Sequence, residues 1–182
     1  GSTRMGRRVS QVVGARLGKS LLELGGNNAV IISEKANLDN ALVAAVFGCV
    51  GTAGQRCTST RRLLIQESVF EDFKKKLVNA YGQLSIGDPL DENNHVGPLI
   101  DKDAVAAFER AVRAVEEEGG EVLTGGDVLT GKGYESGCYV KPCIAEARNH
   151  FEIVQEETFA PIVYLIPFKT LDEAILMQND VK

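Results

Sequence analysis

The segment AVIISEKANLDNALVAAVFGCVGTAGQRCTSTRRLLIQ, residues 29–66, decides the fold of this protein. Ala29–Ser33 and Arg62–Gln66 are short apolar runs bounded by polar and turn residues, a pattern typical of buried strands. Between them the spacing predicts a helix that begins at Leu38–Asp39 and ends at the glycines that follow Val50. Its apolar stripe comprises Leu42, Val46, Phe47 and Val50. Two strands joined through such a helix indicate parallel pairing, because a parallel crossover needs room for a covering helix.

The same alternation of strand and helix continues on both sides of this segment. Further helices are predicted over Met5–Leu17, Val69–Leu84, Asp101–Glu118 and Leu171–Asn179. Further extended segments are predicted over Ser20–Leu24, Glu121–Leu123, Tyr139–Ala145 and Pro161–Pro167, with a loop and hairpin region over Gly125–Gly137. The expected class is therefore α/β, with a doubly wound and mostly parallel sheet.

Composition places the chain of 182 residues among ordinary globular proteins, with 44% hydrophobic and 25% charged residues. Its formal net charge of -5 argues against a nucleic-acid partner, because that affinity rests on clustered cations that neutralise phosphates. The basic groups Arg7–Arg8, Arg61–Arg62 and Lys74–Lys76 are interpreted as solvated faces of helices or strands.

Neither a membrane span nor a metal site is expected. The longest apolar stretch, Ala41–Val50, is far shorter than the roughly 20 residues that a span requires. The polar, basic start of the chain does not resemble a signal peptide.

Four cysteines without paired spacing predict reduced thiols and a cytoplasmic location. The two histidines, His95 and His150, are isolated and suggest no set of metal ligands.

Cys57 is the first candidate for chemistry. It lies in the polar loop GQRCTS, residues 54–59, beside the guanidinium groups of Arg56, Arg61 and Arg62. Nearby positive charge favours the thiolate, which is the nucleophilic form of cysteine. The alternative interpretation is a small buried residue, since free cysteine is among the most buried residue types.

Glu23 is the second candidate. It stands between Leu22 and Leu24 at the end of a predicted buried strand and is followed by two glycines, where backbone can approach a ligand. Apolar surroundings would make its carboxylate a better proton acceptor from water. The alternative is a carboxylate that merely ends a strand.

Two further segments suggest ligand contacts. In EETFAP, residues 156–161, Glu157 and Phe159 could hold a sugar between a carboxylate and an aromatic ring. In GSTRMG, residues 1–6, Gly1, Ser2 and Gly6 lie at the start of the first helix, where free N–H groups and the helix dipole can bind an anion. Each segment alone is also compatible with an ordinary solvated turn.

Together, and in this order, the motifs resemble those of the aldehyde dehydrogenase superfamily. GSTRMG is similar to its phosphate-side turn, LLELGG (residues 21–26) to its glutamate signature, GQRCTS to its cysteine signature and EETFAP to its ribose-binding segment. GDPL (residues 87–90) and GPLI (residues 97–100) resemble its connecting turns. The resemblance runs nearly from end to end.

The resemblance implies a role for each residue that matches a motif. Cys57 would attack the aldehyde, its backbone N–H would be one oxyanion donor, and Glu23 would activate the water that hydrolyses the resulting thioester. Among the cofactor residues, Glu157 and Phe159 would hold the nicotinamide ribose and Leu24 would contact the carboxamide through its carbonyl. Ser2, with Gly1 and Gly6, would lie at the pyrophosphate. The implied cofactor is NAD, with NADP also possible.

Within the superfamily, GGNNA (residues 25–29) and GTAGQRC (residues 51–57) look most like the antiquitin branch. The substrate associated with that branch is α-aminoadipic semialdehyde, from lysine breakdown. Independently, Arg56 could offer a bidentate guanidinium to an acidic substrate tail. Its alternatives are activation of Cys57 or a structural pairing.

The chain is much shorter than the enzymes it resembles. Residues 1–26 are interpreted as a remnant of the NAD-binding domain and residues 27–182 as a truncated catalytic domain, expected to be inactive alone. The intact enzyme is expected to be a homo-oligomer that acts on a small aldehyde. Two other hypotheses stay open: a thiol esterase that needs no cofactor, and a non-enzymatic structural or interaction domain.

Overall fold

A computed structural model describes residues 1–181 as one mixed sheet covered by helices. The helices are α1 (Thr3–Ala15), α2 (Leu38–Val50), α3 (Glu67–Tyr81), α4 (Lys102–Glu117), α5 (Glu152–Gln155) and α6 (Leu171–Asn179). The strands are β1 (Ala29–Ile32), β2 (Arg62–Gln66), β3 (Glu121–Thr124), β4 (Cys143–Glu146) and β5 (Ile162–Phe168). A 3-10 turn over Gly51–Gly54 follows α2 directly.

The sheet has the strand order β1-β2-β5-β4-β3. β1, β2, β5 and β4 run parallel, and β3 pairs antiparallel with β4. Nearly every residue of β2, β4 and β5 is buried, as expected for strands covered on both faces. The predicted α/β class with a mostly parallel sheet is confirmed.

Helix starts follow from side-chain caps written in the sequence. Asn37 accepts from the Asn40 N–H at 3.0 Å at the start of α2, and Asp101 accepts from the Ala104 N–H at 2.8 Å at the start of α4. Such caps satisfy backbone N–H groups that have no partner inside the helix. The starts of both helices therefore agree with the predicted ones to within one residue.

Parallel pairing brings three loops to one edge of the sheet. Asn28 directly precedes β1, Arg61 directly precedes β2, and Ala160 lies just before β5. The register pairs Ala29 with Arg62 and Arg62 with Tyr164, so the amino ends of these strands are adjacent. Residues on all three loops therefore meet at this edge.

Three predictions are wrong. Ser20–Leu24 forms neither a strand nor a buried segment, because the described part of the chain offers it no partner strand, and Leu21 is 86% exposed. Phe47 is 64% exposed, since α2 buries Ala45 and Cys49 on a face rotated away from it. The Arg61–Arg62 pair is fully buried, because backbone carbonyls accept its hydrogen bonds.

Candidate active site

Cys57 is an exposed, free thiol on the loop that joins the 3-10 turn to β2. The turn before it is strained: Thr52, Ala53 and Gly54 all have positive φ, at 56°, 51° and 68°. Left-handed backbone costs about 1–2 kcal/mol per residue other than glycine. The predicted placement of Cys57, on a loop that leaves a helix, is confirmed.

Side chains of the same loop hold the turn in place. The Gln55 amide donates to the Pro98 carbonyl at 3.2 Å and accepts from the Ile100 N–H at 2.9 Å. These contacts join the turn to the GPLI segment, which the sequence analysis interprets as a connecting turn. Strained backbone persists only where its surroundings hold it.

Arg56 lies against the end of α2. Its Nε donates to the Thr52 hydroxyl at 2.8 Å, and its guanidinium carbon lies 5.1 Å from the centre of the Phe47 ring. The first contact is on the preceding 3-10 turn and the second is on α2, and the Arg56 side chain stays partly accessible. A substrate role for Arg56 stays a prediction.

The Cys57 loop is tied to the glutamate segment by Asn28. Its side-chain amide donates to the carbonyl of Cys57 at 2.6 Å and to that of Ser59 at 3.0 Å. Within residues 1–181 the backbone N–H of Cys57 donates to no other group. The loop is therefore held by its carbonyls, and the N–H stays available for a ligand oxygen.

Glu23 lies on an extended, exposed segment, five residues before Asn28. Its backbone carbonyl accepts from the amino group of Gly1 at 2.8 Å. The predicted apolar surroundings of its carboxylate are wrong, since residues 20–23 pack against no strand and the Glu23 side chain is exposed. Asn28 is the structural link between the Glu23 segment and the Cys57 loop.

Arg61 lies beneath the Cys57 loop and is 1% exposed. Its Nη1 donates to the carbonyls of Gly54 at 2.6 Å and Ala160 at 3.2 Å, and its Nη2 donates to the Arg56 carbonyl at 3.1 Å. Burial lowers the pKa of the Arg61 guanidinium, and the nearby Glu157 carboxylate counteracts this. Carbonyl dipoles thus take the place of water around a buried charge.

Arg62 is equally buried but faces elsewhere. It donates to the Asn27 carbonyl at 2.8 and 3.1 Å, to Asn149 Oδ1 at 2.8 Å and to the carbonyls of Met177 and Gln178 in α6. Burial also lowers its pKa. Neither Arg61 nor Arg62 donates a hydrogen bond to Cys57 among the contacts that the structure describes, and both donate to backbone carbonyls instead.

Glu157 reaches back to the glycine pair of the glutamate signature. Its carboxylate accepts from the Gly26 N–H at 3.3 Å and lies so close to Gly25 that an added Cβ would be 2.1 Å from Oε2. Gly25 is therefore required for this close approach. Phe159, two residues further, is 44% exposed, and its ring lies over Arg61 at 5.3 Å.

A cavity of about 490 Å³ lies between α1 and these segments. It is lined by Thr3, Arg4, Arg7, Gly25, Gly26, Asn27, Gln155, Glu156 and Glu157. One wall is basic and belongs to α1, and the opposite wall carries the Glu157 carboxylate. A ligand here would meet a helix amino terminus on one side and a hydrogen-bond acceptor on the other.

The remaining predicted cofactor residues lie at the same end of α1. Ser2 caps the helix, its hydroxyl accepting from the Met5 N–H at 3.3 Å. Gly6 is buried beneath Leu24, whose methyl carbons would lie 2.7 and 2.8 Å from an added Cβ. Close packing on Leu24 thus explains this glycine, while its pyrophosphate role stays a prediction.

The contacts of Asn28 and Arg61 with the Cys57 loop do not follow from the sequence motifs. In the sequence, Asn28 only marks the branch of the superfamily, and Arg61 resembles half of a solvated basic pair. The available signal is their position, since each directly precedes a strand of the parallel sheet. Residues at the same ends of neighbouring parallel strands meet in space.

Metal sites and membrane-spanning helices are both absent from the described part of the chain. Over residues 1–181, no group of three or more His, Cys, Asp or Glu side chains is arranged to hold a metal ion. Within that same range, no helix has the length and apolar character needed to cross a membrane.

Comparison with known proteins identifies the family. The family model described as "Aldehyde dehydrogenase family" matches residues 1–182. An aldehyde dehydrogenase family 7 member A1 of Malus domestica is 44% identical over 181 residues, and an alpha-aminoadipic semialdehyde dehydrogenase of Rattus norvegicus is 47% identical over 183. Each alignment covers 100% of this chain, and 35% and 33% of the relatives.

Solved structures agree with the fold. Betaine aldehyde dehydrogenase of Staphylococcus aureus in complex with NAD+ has a TM-score of 0.96 at 28% identity, covering 99% of this chain and 36% of that one. HpcC of Thermus thermophilus has a TM-score of 0.95 at 35% identity, covering 100% and 36%. The chain spans about a third of the length of these proteins. By sequence and by fold, it belongs to the aldehyde dehydrogenase family.

Proposed function

We propose that the full-length protein carrying this chain oxidises an aldehyde to a carboxylic acid with NAD(P), using Cys57 as nucleophile and Glu23 as base. The observation that carries the proposal is the exposed Cys57 thiol with an unused backbone N–H, on a loop that Asn28 ties to the Glu23 segment. Family membership supports the same chemistry.

Cys57 begins the reaction. Its thiolate sulfur forms a bond to the aldehyde carbon, and the carbonyl oxygen becomes negatively charged in a thiohemiacetal. The Cys57 N–H donates to that oxygen, and its fixed position means that little reorganisation accompanies the charge. NAD(P), when bound, would supply the acceptor for the hydride of the thiohemiacetal carbon. Loss of that hydride leaves the acyl group on the Cys57 sulfur as a thioester.

Glu23 completes the reaction. Its carboxylate takes a proton from water, the water oxygen attacks the thioester carbon, and the carbon–sulfur bond breaks to release the acid and the Cys57 thiolate. Glu23 is exposed and lies on an extended segment. It is therefore accessible to the water that it would activate.

The residues around the cavity of about 490 Å³ fit the nicotinamide half of the cofactor. Glu157 presents carboxylate oxygens that can accept from ribose hydroxyls, with Phe159 as an exposed ring beside them. Gly25 leaves room for this approach. Ser2, Gly1 and Gly6 lie at the amino end of α1, where phosphate would be favoured, and Leu24 offers its carbonyl nearby.

For the substrate we propose a semialdehyde with an acidic tail, such as α-aminoadipic semialdehyde. Arg56, adjacent to the nucleophile, keeps part of its guanidinium group accessible beyond its bond to Thr52. That group can pair with a carboxylate through two parallel hydrogen bonds. The name of the rat relative supports the same substrate class.

The proposal is tested by NADH formation in the full-length protein. Cys57→Ala is expected to abolish it, because the proposed thiohemiacetal and thioester both form on the Cys57 sulfur. Cys138→Ala, which removes a partly buried thiol elsewhere, is the matched control and should leave the rate unchanged. Full activity in Cys57→Ala would overturn the assignment.

Glu23→Gln tests the second step. It should slow thioester hydrolysis more than acyl formation, so that a burst of NADH precedes a slow steady state. Equal burst and steady-state rates in Glu23→Gln would remove the role of Glu23 as base. Ester cleavage measured with and without NAD separates the cofactor-free esterase hypothesis from the dehydrogenase.

The remaining features of the whole protein are proposals of the same kind. Residues 1–26 are assigned to the cofactor domain and residues 27–182 to the catalytic domain, so residues 1–182 alone are expected to be inactive. Firm NAD binding by residues 1–182 would instead argue against a purely structural role for this stretch. We also propose a homo-oligomer, and a cytoplasmic location in keeping with the free thiols of Cys49, Cys57, Cys138 and Cys143.

A further inference from the structure

The guanidinium group of Arg61 lies at the junction of the nucleophile loop and the segment that carries Glu157 and Phe159. We propose that Arg61 is a positioning residue that holds these two segments at a fixed separation. Its meaning for catalysis rests on the proposed function, in which Cys57 carries the chemistry and Glu157 faces the cofactor. The structural coupling itself does not depend on that function.

On one side, Arg61 holds the nucleophile loop. It donates to the carbonyl of Gly54, the last residue of the strained turn, and to the carbonyl of Arg56, the residue before Cys57. The turn has three consecutive residues with positive φ. Because the guanidinium is buried, water does not compete for these carbonyls, and the loop keeps its strained shape.

On the other side, Arg61 holds the segment that carries Glu157 and Phe159. The same guanidinium donates to the Ala160 carbonyl at 3.2 Å, lies 4.0 Å from a Glu157 carboxylate oxygen and packs 5.3 Å from the Phe159 ring centre. It thereby contacts the segment by a hydrogen bond, an ion pair and a cation–π contact. Both residues proposed to hold the ribose are reached from this one side chain.

Only arginine can make this set of contacts. Its planar group directs five N–H donors in a fixed fork, whereas a lysine ammonium is a single point with three donors. Arg61 uses Nη1 on two carbonyls and Nη2 on a third, which lie on both segments. A lysine would keep the charge but could not span the two sides.

Arg62 provides a matched control within the same dipeptide. It is 0% exposed, as deeply buried as Arg61, but its hydrogen bonds go to Asn27, Asn149 and the end of α6. It contacts neither Glu157 nor Phe159 in the described part of the chain. Replacing it tests the cost of losing a buried arginine without breaking the bridge.

The first experiment compares Arg61→Lys with Arg62→Lys in the full-length enzyme, with rates expressed per Cys57 thiol titrated by iodoacetamide. Arg61→Lys should raise the KM for NAD and lower kcat, each about tenfold, with less than a twofold change in the KM for the aldehyde. Arg62→Lys should lower Tm without changing these constants. If Arg61 only stabilised the fold, Arg61→Lys would reduce the number of active sites but leave kcat per titrated thiol and the KM for NAD unchanged. That result would overturn the proposal.

The second experiment uses exposed positions that leave the buried arginine intact. Glu157→Gln removes the charge that faces Arg61, whereas Glu156→Gln changes an exposed neighbour as a control. The rate of Cys57 alkylation by iodoacetamide, followed by mass spectrometry of its peptide, should change at least threefold in Glu157→Gln only. An identical alkylation rate in both variants would show that the two segments are not coupled.

The two proposals can fail separately. Retained NADH formation in Cys57→Ala would reject the proposed function, while the alkylation coupling between Glu157 and Cys57 could still be present. Equal rates of Cys57 alkylation in Glu157→Gln and Glu156→Gln would reject the role of Arg61, while Cys57 would remain the proposed nucleophile.

Discussion

The side-chain amide of Asn28, two residues after the glutamate signature, donates to the backbone carbonyl of Cys57 at 2.6 Å and so joins that region to the cysteine signature. A second bond from the same amide reaches the Ser59 carbonyl at 3.0 Å. Two carbonyls of the loop are thus fixed by one residue that lies five positions after the proposed base. Asn28 thereby links the region that follows the proposed base to the loop that carries the proposed nucleophile.

Asn28→Ala should lower kcat about tenfold or more. Each lost hydrogen bond is worth about 1 kcal/mol, and about 1.4 kcal/mol corresponds to a tenfold change in rate. The matched control is Asn94→Ala, which breaks a single amide contact to the Asp88 carbonyl in a distant turn. Steady-state kinetics of both variants, with Tm as a measure of folding, distinguish the two. Equal kcat in the two variants would contradict the role of Asn28.

Gly25→Ala should weaken NAD binding while leaving the fold intact. The new methyl carbon would lie 2.1 Å from Glu157 Oε2, and the flexible carboxylate can move away at little cost in stability. We expect the KM for NAD to rise about tenfold and Tm to change little. In Gly26→Ala the nearest atom is Asn28 Oδ1 at 3.4 Å, so its effect on the KM should be smaller. The opposite ranking of the two variants would argue against Glu157 at the ribose.

Gly54→Ala should disrupt the loop that carries Cys57. Gly54 has a φ of 68°, and an added Cβ would lie 2.4 Å from the Ala160 carbonyl oxygen, which is backbone and cannot move freely. Gly131 also has positive φ but nothing within 4 Å of the added Cβ. Gly131→Ala should therefore lose only about 1–2 kcal/mol of stability from backbone strain. Gly54→Ala should lose more and also slow Cys57 alkylation, and comparable losses in both variants would contradict the clash.

The stability of the fold should fall steeply above pH 9. Burial raises the pKa of the Cys49 and Cys143 thiols from 9.0 to about 12. Between these values the unfolded chain has lost protons that the native chain still holds, so the free energy of unfolding decreases as pH rises. The slope should reach about 1.4 kcal/mol per pH unit for each thiol.

Urea unfolding at pH 7, 9, 10 and 11 measures this slope. Cys49→Ala should reduce it while also lowering stability at pH 7, because a small cavity remains. Ala45→Gly, a truncation in the same buried face of α2, should lower stability without altering the slope. An unchanged slope in Cys49→Ala would show that the thiol keeps its proton equally well in both states.

Much of the fold was predictable because its determinants are local. The signals for each element lie within that element or directly beside it. They are the caps Asn37 and Asp101, the apolar runs of β2 and β5, and connections long enough to form a helix. The strand predicted over Ser20–Leu24 is wrong for the opposite reason. Its apolar residues resemble a strand, but a strand also needs a hydrogen-bonding partner from another part of the chain. The α5 turn was missed because a helix of four residues has too little periodicity to detect.

By itself, the sequence determined the α/β class, the family and the identity of Cys57 and Glu23 as the candidate pair, since these depend on periodicity and on motifs in a fixed order. The tertiary structure alone decided that Arg61 and Arg62 are buried, that Asn28 binds the Cys57 carbonyl and that Glu157 approaches Gly25. The hydrogen bonds of Asn28 and Glu157 join residues that are 29 to 131 positions apart. The parallel register of β1, β2 and β5 brings such distant residues to one edge, and no local pattern encodes that register.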